Sequence, residues 1–276
     1  MSVKENASLS RRALLSAAPF VFVRRLTGQT AQEKGREFVH DALDAMGGDR
    51  FLDIHTQVAS GRAYSFYNAS VRGLARISVY ERFEPMQPNM PADWLPVSRR
   101  EVYTEKGDYF SLFLNGRGWE VTFQGARPIP PDLIERYRLS VRRDFLYFLR
   151  YRLNENGLYF YNPGMEIVDN TPTNAVEISD AEGETITVYL RQSDGLPHTS
   201  KYTRRDPKTR IPFEEKSIYS KFRSVETRAI VPWNIRKERD GEVVFEQFAS
   251  EFHVNQEIKA GIFQLPSDAK LLSQEP

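Results

Sequence analysis

The sequence predicts a mainly β, α+β protein built as one large curved antiparallel sheet with helices on a single face. Three observations carry this. From residue 55 onward, apolar residues recur with a period of two, the spacing of half-buried strands. Tight-turn signals separate these runs, Asp240-Gly241 being the clearest, with Lys106-Gly107-Asp108 and Asn115-Gly116-Arg117-Gly118 as further hairpin turns. Only two stretches after the N-terminal region carry helical spacing, too few to cover both faces of a sheet.

The chain begins with the layout of an export signal. Arg11 and Arg12 precede a short apolar run over 16–23, followed by Arg24-Arg25 and a small-residue exit ending at Ala31. The paired arginines ahead of the run predict the twin-arginine route, with cleavage near residue 31. The apolar run is shorter than the ~20 residues a membrane span needs, and Pro19 interrupts it. The expected division is therefore a leader over 1–31 and one domain over 32–276.

The first helix is expected over 32–46, where Phe38, Ala42, Leu43, Ala45 and Met46 share one face and Gly47-Gly48 ends the run. Strands follow, with Val58, Tyr64 and Phe66 in one run and Ile77, Val79 and Phe83 in the next. Residues 84–96, rich in Pro, Met and Asn and holding Trp94, read as a long loop of the kind that often acts as a lid. Strands resume over 100–104, 109–114 and 118–123. Pro130-Pro131-Asp132 then opens a second helix, expected to run unbroken over 133–152. Its apolar stripe includes Leu133, Tyr137, Phe145, Phe148 and Leu149, and its many arginines are expected to be solvated. After Gly157 the chain is strand to the end, giving on the order of ten strands in all. In the last of them Val244, Phe248, Phe252 and Val254 fall on one face by simple alternation.

Composition excludes several chemistries. There is no cysteine, which removes disulfides, thiolate nucleophiles, zinc–thiolate sites and lipid attachment to a cysteine. The net charge of +1 falls below zero once the leader is removed, so no basic field exists for nucleic acid. His40, His55, His198 and His253 have no metal-ligand spacing. There is no Gly-x-Ser-x-Gly elbow and no phosphate loop. Glu214 and Glu215 alternate faces on a strand and so cannot act as a facing acid–base pair. The expectation is a non-catalytic protein without metal or cofactor.

Local motifs give a direction. Asn115-Gly116-Arg117-Gly118-Trp119 is similar to a turn-plus-Trp hairpin of the outer-membrane lipoprotein-sorting (LolA/LolB-like) family. Tyr189-Leu190-Arg191 followed by Asp194-Gly195-Leu196-Pro197, and the stretch from Val254-Asn255-Gln256 to Phe263-Gln264-Leu265-Pro266, resemble two further elements of that family. The resemblance spans nearly the whole chain after the leader. It implies an open antiparallel half-barrel whose helices plug an apolar, concave side, and a soluble, non-lipidated protein of the bacterial periplasm. It also implies a lipid, or the acyl chain of a lipoprotein, as ligand, with docking of a periplasmic or membrane protein partner as the alternative. In such a half-barrel Tyr64, Phe66, Tyr109, Phe113, Trp119, Phe123, Phe145, Phe148, Trp233, Phe248 and Phe252 would wall the cavity. Family carriers hold a lid helix with an arginine on an early strand, and Arg82, Arg99 and Arg100 are the candidates for that role here.

Overall fold

A computed structural model describes residues 30–91, 93–206 and 209–274; the expected leader lies outside them apart from Thr30 and Ala31. Those two residues start helix α1 (Ala31–Ala45). The Thr30 hydroxyl accepts from the Glu33 amide at 3.1 Å, and the Glu33 carboxylate accepts from the Thr30 amide at 2.8 Å. This reciprocal cap satisfies two amides that the first turn would otherwise leave unpaired. The helix stops at the expected Gly47-Gly48, and Asp49–Leu52 adds a single turn, α2.

Thirteen strands then form one antiparallel sheet. They are β1 (Thr56–Tyr67), β2 (Ser70–Phe83), β3 (Val97–Val102), β4 (Phe110–Leu114), β5 (Arg117–Thr122) and β6 (Gly125–Pro128), followed after the helical crossover by β7 (Tyr159–Val168), β8 (Thr171–Ser179), β9 (Thr185–Arg191), β10 (Pro197–Arg205), β11 (Pro212–Ser224), β12 (Ile230–Arg239) and β13 (Glu242–Val254). The spatial order is β6-β5-β4-β3-β2-β1-β13-β12-β11-β10-β9-β8-β7. Two meandering arms, β1–β6 and β7–β13, thus meet at one seam where β1 pairs with β13. The sheet curves but does not close, which is the open half-barrel expected from the family resemblance.

Two-residue turns with positive φ at both positions link several neighbours. Asp240-Gly241 and Asn115-Gly116 are among them, and so are Asn68-Ala69 and Asp169-Asn170. Such turns twist with the strands they join.

Helices α1, α2 and the crossover pack on one face. Val39, Met46, Phe51, Phe145, Phe148 and Leu149 meet inward residues of the second arm such as Phe160, Val188 and Tyr219. The crossover is not one helix over 133–152. It is α3 (Pro131–Arg142), a break at Arg143-Asp144, then α4 (Phe145–Tyr147) running into a π-helical turn, Phe148–Arg152. Asp144 causes the break. Its backbone is extended, and its carboxylate accepts from the amides of Leu146 and Tyr147 at 2.9 and 3.2 Å, so it caps a new helix rather than continuing the old one.

The arginines of this segment also depart from expectation. Arg143 and Arg152 are buried, and Arg150 is half-buried. Arg150 donates to the carbonyls of Phe51, Leu52 and Ile54 at 2.6–3.0 Å, satisfying acceptors at the end of α2. Arg152 pairs with Asp180 at 2.9 Å and Glu155 at 2.8 Å. Buried charges persist only when partnered in this way.

A second core lies on the opposite face. The stretch after β13 folds back over the outer side of β3–β6, where Phe263 packs with Val102, Phe110, Leu112, Val121 and Ala126. It finishes beside the sheet's edge. The Ala126 amide donates to Lys270 and the Leu272 amide to Ala126, so β6 is partly paired along its free side. A side chain at Gly125 would lie 2.2 Å from the Lys270 carbonyl oxygen, so this closure requires glycine. No helix among the described residues is long and apolar enough to cross a membrane.

Candidate functional site: the concave face under helix α3

Strand pairing assigns each side chain to a face, because directly paired residues point the same way. The rung Gln57–Glu81–Arg99–Phe113–Gly118 faces α3. Phe113 stacks on Tyr137 of α3 with ring centroids 3.9 Å apart. Gly118 is the point of closest approach: a Cβ there would sit 2.4 Å from Cδ1 of Ile134. The helix therefore rests on the first arm through Ile134 and Tyr137. At its far end Arg143 pairs with Glu184, and the Tyr219 hydroxyl donates to Asp144 at 3.1 Å, which ties it to the second arm.

Between these two anchors α3 stands over open space. A cavity of about 300 Å³ lies on one side, lined by Leu133, Tyr137, Tyr202, Arg204, Lys237 and Val244 among others. A cavity of about 580 Å³ lies on the other, lined by Leu139, Arg143, Glu184 and Thr203. Arg136 and Arg204 border both. None of the 12 residues of α3 is fully buried.

The floor near the first arm is amphipathic. Ala63, Ile77 and Val79 form a small apolar strip with Tyr103 and Phe245. Beside it Arg99 pairs with Glu81 at 2.6 Å and Glu101 at 2.7 Å, and the Tyr103 hydroxyl donates to Glu101 at 2.7 Å. Burial alone would raise the Glu101 carboxyl, but Arg99 and the Tyr103 hydroxyl more than offset it and hold it below its ordinary value of 4.5. The Tyr137 hydroxyl sits over this cluster, buried and without a hydrogen-bond partner.

The expected wall residues divide by face. Phe113, Trp233 and Phe252 face the helices from the sheet, Phe145 and Phe148 lie on the crossover and point toward the sheet, and Tyr109 faces inward at the margin, 42 % exposed and packed on Tyr103. Phe145 and Phe148 belong to the packed interior, and Trp233 stacks with Phe252 at 5.9 Å. Tyr64, Phe66 and Phe248 point to the outer face, where Tyr64 meets Phe248 edge-on at 6.1 Å. Trp119 is also outward and joins the second core. Phe123 lies just past β5 and is 90 % exposed. The structure thus brings six of the eleven to the concave face.

A bulge explains why Phe248 and Phe252 part. Ser60 pairs with Glu251 and Gly61 with Ala249, so Ser250 is an extra residue and every side chain beyond it changes face. A Cβ at Gly61 would fall 1.9 Å from the Phe248 carbonyl oxygen, so the bulge needs glycine. On β1 the inward residues after Gln57 are small ones, Ala59, Gly61 and Ala63.

The three arginines divide as well. Arg82 lies over the Phe263 ring at 4.9 Å. Arg100 lies over Phe110 at 3.5 Å and donates to the Ile262 carbonyl at 3.1 Å, so both hold the C-terminal stretch on the outer face. Arg99 alone of the three faces α3. The loop over 84–96 is closed at its base, where the Glu84 amide donates to Pro96 at 2.8 Å and the Tyr151 hydroxyl donates to both carbonyls. Trp94 packs against Gly116 of the β4–β5 turn. Tyr137 was expected in the apolar stripe of the crossover, whereas Tyr103, Glu81, Glu101, Arg204 and Lys237 carried no mark in the local sequence pattern. The signal for the charged cluster was present in Glu81, Arg99 and Glu101, which share a face once β2 and β3 are paired.

An open antiparallel half-barrel with a helical crossover over its concave face defines a LolA-like fold. No protein-family model matches the chain, and no curated protein matches it by sequence. Solved structures do match its fold. A DUF1329 family protein from Desulfovibrio piger superposes with a TM-score of 0.56 at 13% identity, covering 86% of this chain and 98% of that one. A domain assigned to outer membrane lipoprotein sorting from Vibrio parahaemolyticus superposes with a TM-score of 0.51 at 10% identity, covering 84% and 96%.

Proposed function

We propose that the protein is a non-catalytic binding protein of the outer-membrane lipoprotein-sorting type, which receives a lipid or the acyl chain of a lipoprotein beneath α3. The observation that carries this reading is the placement of α3. It crosses the concave face between two end anchors, has a cavity on each side, and buries no side chain fully. A helix held in this way is suited to be a lid, because lifting it breaks few apolar contacts. Leu133, Tyr137 and Val244 in the lining give an acyl chain apolar contact, and each methylene buried there would contribute ~0.8 kcal/mol. The likeness to a lipoprotein-sorting domain supports the same reading. The export layout over 1–31 supports a periplasmic protein, and the absence of cysteine supports a non-lipidated one.

Native mass spectrometry of protein taken from the periplasm tests the reading, together with uptake of a fluorescent fatty acid. Bound lipid in the first and saturable uptake in the second are expected. A lipid-free protein that takes up no fatty acid would sink it.

A second reading, docking of a periplasmic or membrane protein partner, has one observation in its favour. The outer face carries a groove of about 760 Å³ between Tyr64, Phe248, Val102 and Ser78, with Leu74 exposed nearby. A stoichiometric partner recovered by cross-linking, lost in the Tyr64→Ser/Phe248→Ser variant, would favour it.

A further inference from the structure

The cavity under α3 is not charge-neutral. Arg136, Arg204, Lys237 and Arg239 border it, against Asp144 and Glu215 on the acidic side. Lys216 and Glu238, also at its margin, pair with each other at 3.5 Å. Asp144 is fully engaged, since one oxygen caps α4 and the other accepts from Tyr219. Glu215 accepts from Tyr202 and from Arg239, the latter at 3.3 Å, and stands 3.8 Å from Arg204. Glu215 is therefore shared by Arg204, Arg239 and Tyr202, and neither carboxylate pairs with Arg136 or Lys237.

The unmet donors are specific. Arg204 Nη1 is buried, and at 3.8 Å from Glu215 it has an ion-pair neighbour but no hydrogen-bond partner. The Lys237 ammonium forms no hydrogen bond or ion pair among the described residues, although it acts on Glu101 from a distance. The two arginines are also fixed in place. Arg204 and Arg239 lie over the Phe213 ring, at 5.3 and 4.5 Å, which holds both guanidinium groups at the cavity margin. A buried donor left unpaired costs more than a typical hydrogen bond returns, so such a site favours a ligand that completes it. Leu133, Tyr137 and Val244 supply the apolar part of the lining.

We infer that the cavity beneath α3 holds the oxyanion head, a carboxylate or a phosphate, of an amphiphile, with Lys237 and Arg204 as its principal donors. This rests on the lid reading above and adds to it the polarity of the end that is bound first. An acyl carrier with a purely apolar site would have no use for these cations, and a nucleic-acid site would place them on an open surface rather than under a helix.

Titration calorimetry with dodecanoate, dodecyl phosphate, dodecanol and inorganic phosphate, each below its micelle concentration, tests the inference on the full-length protein. The two charged amphiphiles are expected to bind at least about tenfold tighter than dodecanol, the order that one charge-assisted hydrogen bond provides. In Lys237→Gln this preference should fall severalfold, because the charged head loses more than the alcohol does. Lys237→Arg should keep it, and Arg204→Gln, checked for folding by thermal melting, should reduce it. Equal binding of dodecanol and dodecanoate would overturn the head-group inference and leave the lid reading standing. Absence of binding by all three amphiphiles would overturn both. Tight inorganic phosphate with no gain from the chain would uphold the oxyanion site and overturn its lipid origin.

Discussion

The two halves of the crossover have opposite characters. Helix α3 buries no side chain fully, and it touches the sheet through Ile134 and Tyr137 at one end and Arg143 at the other. The turn that follows, α4 with its π-helical continuation, buries Phe145, Phe148 and Leu149 to 1 % exposure or less and anchors Arg150 on three carbonyls. Sequence periodicity runs through both, because each half carries an apolar stripe. The difference comes from what lies beneath. The second half is set into the packed interior of the second arm, whereas the first crosses a gap. An amphipathic pattern thus specifies a face, but not whether that face is filled.

The sharpest way to break this contrast is by truncation. Phe148→Ala should cost about 4 kcal/mol in urea unfolding, the range for removing a buried Phe, while Leu139→Ala on α3 should cost under about 1 kcal/mol. Similar losses at the two sites would erase the distinction between plug and lid.

Next in size is Arg99→Met, which removes the cation shared by Glu81 and Glu101 under α3. A loss of about 3 kcal/mol at pH 7 is expected, since two partly buried carboxylates are left without it. The pH dependence should also change. In the native protein burial raises Glu101, but Arg99 and Tyr103 reverse this, so its net value is lowered from 4.5. Its contribution is present above that ordinary value and is lost as pH falls through the lowered one. In Arg99→Met the largest influence that lowers Glu101 is gone, and only the Tyr103 hydroxyl and the more distant Lys237 still oppose burial, so Glu101 rises from its native value and the deficit relative to the native protein should shrink on acidification. Urea unfolding at pH 7 and pH 4 measures it, and a deficit that grows in acid would refute the assignment.

The smallest effect belongs to Tyr137→Phe. Its hydroxyl is buried without a partner, so removal should be neutral or stabilising by up to about 1 kcal/mol. A large loss would mean that the hydroxyl holds α3 in place and would refute its assignment as unpartnered.

Much of this architecture was legible in the residues. The stop at Gly47-Gly48, the turn at Asp240-Gly241 and the period of two from residue 55 led directly to one antiparallel sheet with helices on a face. Three features were not. Asp144 breaks the crossover because its carboxylate finds two free amides, and one acidic residue within an apolar stripe reads equally well as a surface position. The bulge at Ser250 exchanges the faces of Phe248 and Phe252, and nothing local marks it, since it is set by pairing with Gly61 across the seam. The arginines at 82, 99 and 100 could not be ranked until pairing placed Arg99 on one face and Arg82 and Arg100 on the other. In each case the missing information is long-range.

The seam has a mechanical consequence. Each arm is a run of sequential neighbours, and the arms are joined side by side only where β1 meets β13. The crossover runs from β6, at one end of the sheet, to β7, at the other, so α3 and α4 are strung between the two tips of the arc as a string is across a bow. The chord length and the curvature of the sheet are therefore one variable. A molecule that wedges beneath α3 must either slacken the string at its Arg143-Asp144 joint or flatten the bow at the β1–β13 seam, so a strain applied at one of these places is registered at the other.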